Sequence, residues 1–174
     1  MRSPLLAAAA ALLLWGCKPS CGSPGTAPAT SPSSPSQGGN PSAPVPDAIQ
    51  ALRDADAALQ AGKLDEAIAR GETASAAMPG NPVIWNVLGR AHAARFAQTR
   101  DGDEAKKARE AFTRATTASP DFWPAYQNLG ELEEKTGRLQ EAADAYRQVL
   151  KAQPNHPDKA KFEAVIGRAQ AGKQ

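Results

Sequence analysis

The sequence predicts an all-α fold, an α-solenoid in which three helix-turn-helix units stack side by side and a final helix caps the stack. Three observations predict it. Two stretches share one apolar spacing: Trp85-x-x-Leu88-Gly89 with Ala108-x-x-x-Phe112 and Pro120, then Tyr126-x-x-Leu129-Gly130 with Ala142-x-x-x-Tyr146 and Pro154. Intervals of three and four place these large residues on single helix faces. A third, weaker copy precedes them, and an amphipathic segment follows. A unit of this kind cannot bury its apolar face alone, so copies must stack.

The first unit spans about residues 48–81. There Gly62-x-Leu64-x-x-Ala67-Ile68 lines up with Gly137-x-Leu139-x-x-Ala142-Ala143, and Ala55 takes the small-residue place. It is degenerate, with Asp54 where the others carry Leu88 and Leu129, and Gly71 where they carry Phe112 and Tyr146. A glycine there is expected to cost about 1 kcal/mol of helix propensity against alanine.

The second unit, about 82–122, carries seven residues more than the 34-residue period of its neighbours, around Ala94 to Asp101. Seven residues make nearly two helical turns, so its first helix should run on through Phe96 and break near Asp101-Gly102-Asp103. The tip should then protrude. It is either a docking knob with Arg95, Phe96 and Arg100 as contacts or a tolerated loop insertion.

The third unit is about 123–156. In both complete units a small residue should let paired helices approach, with Gly89 facing Ala108 and Gly130 facing Ala142. Pro120 and Pro154 end the second helices. After Pro157, Phe162, Val165, Ile166 and Ala169 fall on one face of a segment with Lys159, Lys161, Glu163 and Arg168 between them. That predicts a capping helix at about 158–171.

The Trp/Tyr-Leu-Gly, Ala-x-x-x-aromatic and Pro pattern resembles the tetratricopeptide repeat (TPR) family. The resemblance implies a solenoid whose first helices line a concave groove that holds other proteins. Carried over by position, the groove candidates are Arg53, Asp56, Asn86, Arg90, Gln127, Asn128, Glu131 and Lys135. Amides there suit the backbone of an extended peptide, and Arg90 and Glu131 would select charge. Members that grip a C-terminal carboxylate do so with Lys, Arg and Asn. The matching places here are Leu52, Asp56, Val87, Pro124 and Asn128, so such a clamp is not expected.

The first 46 residues read differently. Met1-Arg2-Ser3 and a run of about ten apolar residues from Leu5 to Leu14 make a segment too short to span a bilayer. It ends in Leu14-Trp15-Gly16-Cys17, which resembles the bacterial lipoprotein box, with Trp15 the departure from its small-residue pattern. The resemblance implies a signal peptide over 1–16 and acylation of Cys17 through its thiol and new amino group. Several acyl chains would anchor the protein without a transmembrane helix, each buried methylene adding about 0.8 kcal/mol. Lys18 after that cysteine, in place of Asp, points by sorting rules to the outer membrane.

Residues 18–46 hold eight prolines, seven serines and four glycines, with Lys18 their only charge. Such a segment lacks the apolar surface to offset chain entropy and reads as a disordered tether spanning about 30 Å as a coil or about 90 Å extended. Cys21 is left over if Cys17 is acylated; were Cys17 unmodified, a Cys17–Cys21 disulfide would be the rival.

The chemistry of sites returns little. His92 and His156, the two histidines, have no partner at metal-ligand spacing, so no metal or cofactor is expected. His92 takes a place where the repeat prefers an aromatic and reads as packing; His156, between Pro154 and Pro157, reads as polar surface. Asp65-Glu66 and Glu131-x-Glu133-Glu134 read as solvated helix faces, and neither phosphate loop nor nucleophile elbow is present. Of the 20 Lys and Arg, only Arg2 and Lys18 precede Asp47, which leaves 18 against 18 acidic residues. A neutral domain argues against nucleic acid, which wants a basic face. Neither an enzyme nor a small-molecule substrate is expected.

The expectation is a membrane-anchored scaffold or adaptor in the bacterial envelope, facing the periplasm from the outer membrane. Its partner would be another envelope protein of a pilus, secretion or outer-membrane assembly machine. The rival is a non-catalytic regulator of a cell-wall enzyme acting through the outer surface or the Phe96 tip. A third reading is self-association through Leu52 and Leu59 of the first unit.

Overall fold

The computed structural model describes residues 45–172, and all the described elements are helices. They are α1 (Val45–Gln60), α2 (Leu64–Ala77), α3 (Pro82–Thr99), α4 (Gly102–Ala118), α5 (Trp123–Lys135), α6 (Leu139–Ala152) and α7 (Lys159–Ala171). Three antiparallel hairpins, α1–α2, α3–α4 and α5–α6, stack in order, and α7 closes the last one by packing on α6. The signal segment, Cys17, Cys21 and nearly all of the expected tether lie outside the described residues. The tether was expected to reach residue 46, but α1 opens at Val45, because a proline such as Pro46 is tolerated in a helix's first turn.

The boundaries follow local chemistry. Asn81 Oδ1 accepts from the Val83 N–H at 2.9 Å, and Pro82, which lacks an N–H, begins α3. Asp101 Oδ1 caps α4 through the Asp103 N–H at 2.9 Å. The tight turns inside the first and third hairpins need left-handed backbone, supplied by Gly62 at φ 73° and Gly137 at φ 79°. In the second hairpin the long α3 ends at Arg100, which adopts φ 59°. The break before Asp101-Gly102-Asp103 is thus as expected.

Between paired helices, alanines let the backbones approach: Ala55, Ala67, Ala91, Ala108, Ala115 and Ala142 are all fully buried. Gly89 and Gly130 serve another close approach. A methyl group on Gly89 would lie 2.5 Å from the Phe112 ring, and one on Gly130 would lie 2.5 Å from the Tyr146 ring. The glycines make room chiefly for those rings, rather than for the alanines expected opposite them. Gly71 has a similar reason: its missing methyl would stand 3.1 Å from Leu88 Cδ1, so the first hairpin's degeneracy lets α2 approach α3.

The core grows richer toward α7, where Tyr146 and Phe162 stack at 4.4 Å and both are fully buried. His156, expected at the surface, packs its ring at 5.3 Å from Trp123 and 5.0 Å from Phe162, while Nδ1 accepts from the Asp158 N–H at 3.1 Å. The short turn between two prolines folds back over this aromatic cluster, which is why a polar residue there is covered.

Candidate functional site

The first helices of the hairpins, α1, α3 and α5, run in the same direction, since each second helix reverses the chain, and α3 contacts both α1 and α5. On α1, Arg53 and Asp56 stand three apart; on α3, Asn86 and Arg90 stand four apart; on α5, Gln127, Asn128, Glu131 and Lys135 repeat the spacing. Each set therefore shares a helix face. The structure brings the three faces together across two hollows.

Between α1 and α3 lies a hollow of about 420 Å³ whose walls include Arg53, Asp56, Asn86 and Arg90. Between α3 and α5 lies another of about 300 Å³, bordered by Arg90, Asn128, Glu131 and Lys135. Arg90 stands on the ridge between them. Gln127 borders neither, but its Nε2 donates to Glu131 Oε1 at 3.3 Å.

Several of these groups are already tied to one another. Arg90 Nη1 is 3.2 Å from Asp56 Oδ1, joining α3 to α1, and Asn128 Nδ2 donates to Asn86 Oδ1 at 2.8 Å, joining α5 to α3. Lys161, on α7, reaches to 3.8 Å from Glu131. The amide expected to meet a peptide at Asn86 is instead buried and committed to its neighbour. Two cations on this face, Arg53 and Lys135, have no ion-pair partner among the described residues.

The α3–α4 tip corrects the expectation of a docking knob headed by Phe96. Phe96 is only 8% exposed and packs against Ala105, Ala108, Phe112 and Leu132, because the two extra turns fold along α4 and bury their apolar residue. Arg95 turns back to pair with Asp65 at the start of α2. Arg100 is exposed, with its guanidinium 5.9 Å from the Phe96 ring centroid.

Two buried carboxylates were not foreseen. Glu133, read as a solvated face, is 2% exposed; both guanidinium nitrogens of a fork on Arg109 bond it, and Arg138 Nε stands 3.2 Å away. That hydrogen bonding, against the opposing effect of burial, raises the already high Arg109 pKa. Glu104 is buried against His92, with Nδ1 at 2.7 Å from Oε2, and accepts from Lys107 at 3.1 Å. Burial alone would raise the Glu104 pKa, but the hydrogen bonds from His92 and Lys107 outweigh it and hold the carboxyl below its usual value. That each carboxylate would meet a basic partner could have been guessed from charge, but not which helix faces touch. Both pairs knit α3, α4 and α5 together behind the concave face, and among the described residues no group of three His, Cys, Asp or Glu is arranged to hold a metal.

Comparison with known proteins agrees with this geometry. Residues 96–157 match the profile of the tetratricopeptide repeat. No curated protein matches the chain. Among solved structures, the first TPR of Spaghetti (RPAP3), bound to the HSP90 peptide SRMEEVD, superposes with a TM-score of 0.64 at 23% identity, covering 74% of this chain and 96% of that one. The Sgt2 TPR domain from Aspergillus fumigatus gives 0.63 at 21% identity over 75% and 84% of the two chains. MamA gives 0.60 at 22% identity over 74% and 70%. Fold and repeat together define the class: an all-α solenoid of three stacked helical hairpins with a capping helix, within which residues 96–157 match the tetratricopeptide repeat.

Proposed function

We propose that this protein is a non-catalytic scaffold that docks a segment of another protein along its concave face. The observation that carries the reading is the pair of hollows between α1, α3 and α5, edged by Arg53 and Lys135, cations with no ion-pair partner among the described residues. Internal ties such as Asp56–Arg90 and Asn86–Asn128 hold the surface in one shape, which lowers the ordering cost of binding. The RPAP3 domain with the same fold is bound to a peptide, which supports a peptide-like ligand for this groove as well.

The finer part of the proposal is placement. Acylation at Cys17 would anchor the protein in a bacterial envelope, at the outer membrane and facing the periplasm by the Lys18 rule, and residues 18–44 would let the groove search for an envelope partner. This rests on the Leu14-Trp15-Gly16-Cys17 sequence. The rival reading, regulation of a cell-wall enzyme through the outer surface or the α3–α4 tip, loses the apolar contact of its tip version, since Phe96 is buried, and keeps the outer surface.

The test is recovery of bound protein from envelope extracts with the chain carrying Arg90→Glu and Lys135→Glu, against Thr113→Glu at an exposed position of α4 as control. Loss of a partner with the first pair alone is expected. Equal recovery with all three contradicts groove docking.

A further inference from the structure

Among the described residues, two large apolar side chains are openly exposed, Ile49 and Val83, each at 41%. A lone exposed aliphatic is ordinary. These two are not scattered. Val83 lines the hollow between α1 and α3, and Ile49 lies one turn before Leu52 and Arg53, which line it too. Because α1 and α3 run in the same direction, the N-terminal turns of both face the same end of that hollow. Leu52 and Val87 continue the aliphatic surface inward.

The hollow therefore has a mixed lining, with Leu52, Val83 and Val87 beside Arg53, Asn86 and the Asp56–Arg90 pair, and Ile49 one turn outside it. Its charge is unbalanced: two guanidiniums face one carboxylate, and that carboxylate is already engaged by Arg90 at 3.2 Å. Arg53 is left with a full positive charge and five donors in a planar fork suited to a carboxylate.

We propose that this end of the groove takes an aliphatic side chain from a partner protein segment that carries an aspartate or glutamate close behind it, the carboxylate meeting Arg53. The inference rests on the groove-docking reading and adds the chemistry of its occupant. A basic segment would be repelled by the surplus charge, and a wholly polar one would leave Ile49 and Val83 in water.

The experiment pans a random-peptide phage library against the full chain in detergent, and again against Arg53→Glu, Val83→Asp and Arg90→Glu. Positions 53 and 83 are exposed, so these variants should keep the helical circular dichroism of the parent. Peptides enriched on the parent should share an aliphatic residue followed by an acidic one, and bind about tenfold more weakly to Arg53→Glu and to Val83→Asp. Panning on Arg53→Glu should exchange the acidic residue for a basic one and keep the aliphatic. Peptides that depend on Arg90 but not on Arg53 or Val83 would overturn this inference and leave groove docking standing. Peptides indifferent to all three substitutions, or no enrichment, would overturn both. Self-association of the parent that Val83→Asp abolishes would make a second copy the occupant and likewise overturn the proposal.

Discussion

Replacing Gly130 with alanine sets two effects against each other, and the structure decides between them. Alanine is favoured over glycine inside a helix by about 1 kcal/mol, so on propensity alone the variant should be stabilised. The new methyl, however, would lie 2.5, 2.7 and 2.9 Å from Cε1, Cδ1 and Cζ of Tyr146. Carbon atoms rest about 3.5–4.0 Å apart, so the ring would have to retreat by about 1 Å. It has nowhere to go, being fully buried and stacked at 4.4 Å on Phe162 of the capping helix. Overpacking of a rigid core costs about 1–3 kcal/mol. Taking the upper end for three close atoms and subtracting the propensity gain leaves a net loss of about 2 kcal/mol. Urea denaturation followed by circular dichroism should show the midpoint fall at unchanged slope. Gly167→Ala is the control: at this exposed position of α7 the new methyl would meet no neighbouring side chain or other helix within 4 Å, so only the propensity gain should appear. A Gly130→Ala protein as stable as the parent would refute the claim that this glycine exists for the Tyr146 ring.

Other consequences follow from the buried pairs and from the proposed acylation of Cys17. Arg109→Ala should cost about 3 kcal/mol in the same denaturation assay, since it leaves Glu133 buried with Arg138 as its remaining cation; Arg109→Met with Glu133→Leu should recover much of the loss. The Glu104 carboxyl is held below its usual 4.5 in the folded state, so its contribution to stability is present above that value and is lost as pH falls through the lower folded value. Thermal melts between neutral pH and pH 3 should therefore fall less steeply for Glu104→Gln than for the parent; identical slopes would contradict the pairing with His92. The proposed acylation predicts acyl chains on Cys17 by intact mass spectrometry of the parent, and a shift from membrane to soluble fraction on Cys17→Ser; an unmodified Cys17 would contradict it.

The repeat was legible because its signal is spacing. Trp85, Leu88, Phe112 and their counterparts at Tyr126, Leu129 and Tyr146 mark a helix face wherever that helix ends up. The seven extra residues were legible in length, and α3 does run to Thr99. Their destination was not, since whether Phe96 faces solvent or α4 depends on the direction in which the longer helix leans. The charged residues were least legible. Glu131, Glu133 and Glu134 look alike in sequence, yet Glu133 is buried under two arginines, while Glu134 is met by Arg168 at 2.7 Å. Which of three neighbouring carboxylates turns inward is set by the crossing of α4 and α5, a long-range property. The groove candidates came by position from the repeat pattern; all but Gln127 border the two hollows, but the Asn86–Asn128 bond joins residues 42 apart and no local pattern announces it.

The central claim is that the concave face, and not the outer one, is where this protein meets its partner. The direct measurement places a photo-crosslinking residue at Arg90, on the ridge between the two hollows, and another at Thr113, an exposed position of α4, in living cells. Docking in the groove predicts one crosslinked protein from position 90 alone, with the adduct lost when Lys135→Glu is added. Crosslinks from position 113 alone, or the same adducts from both positions, would contradict it.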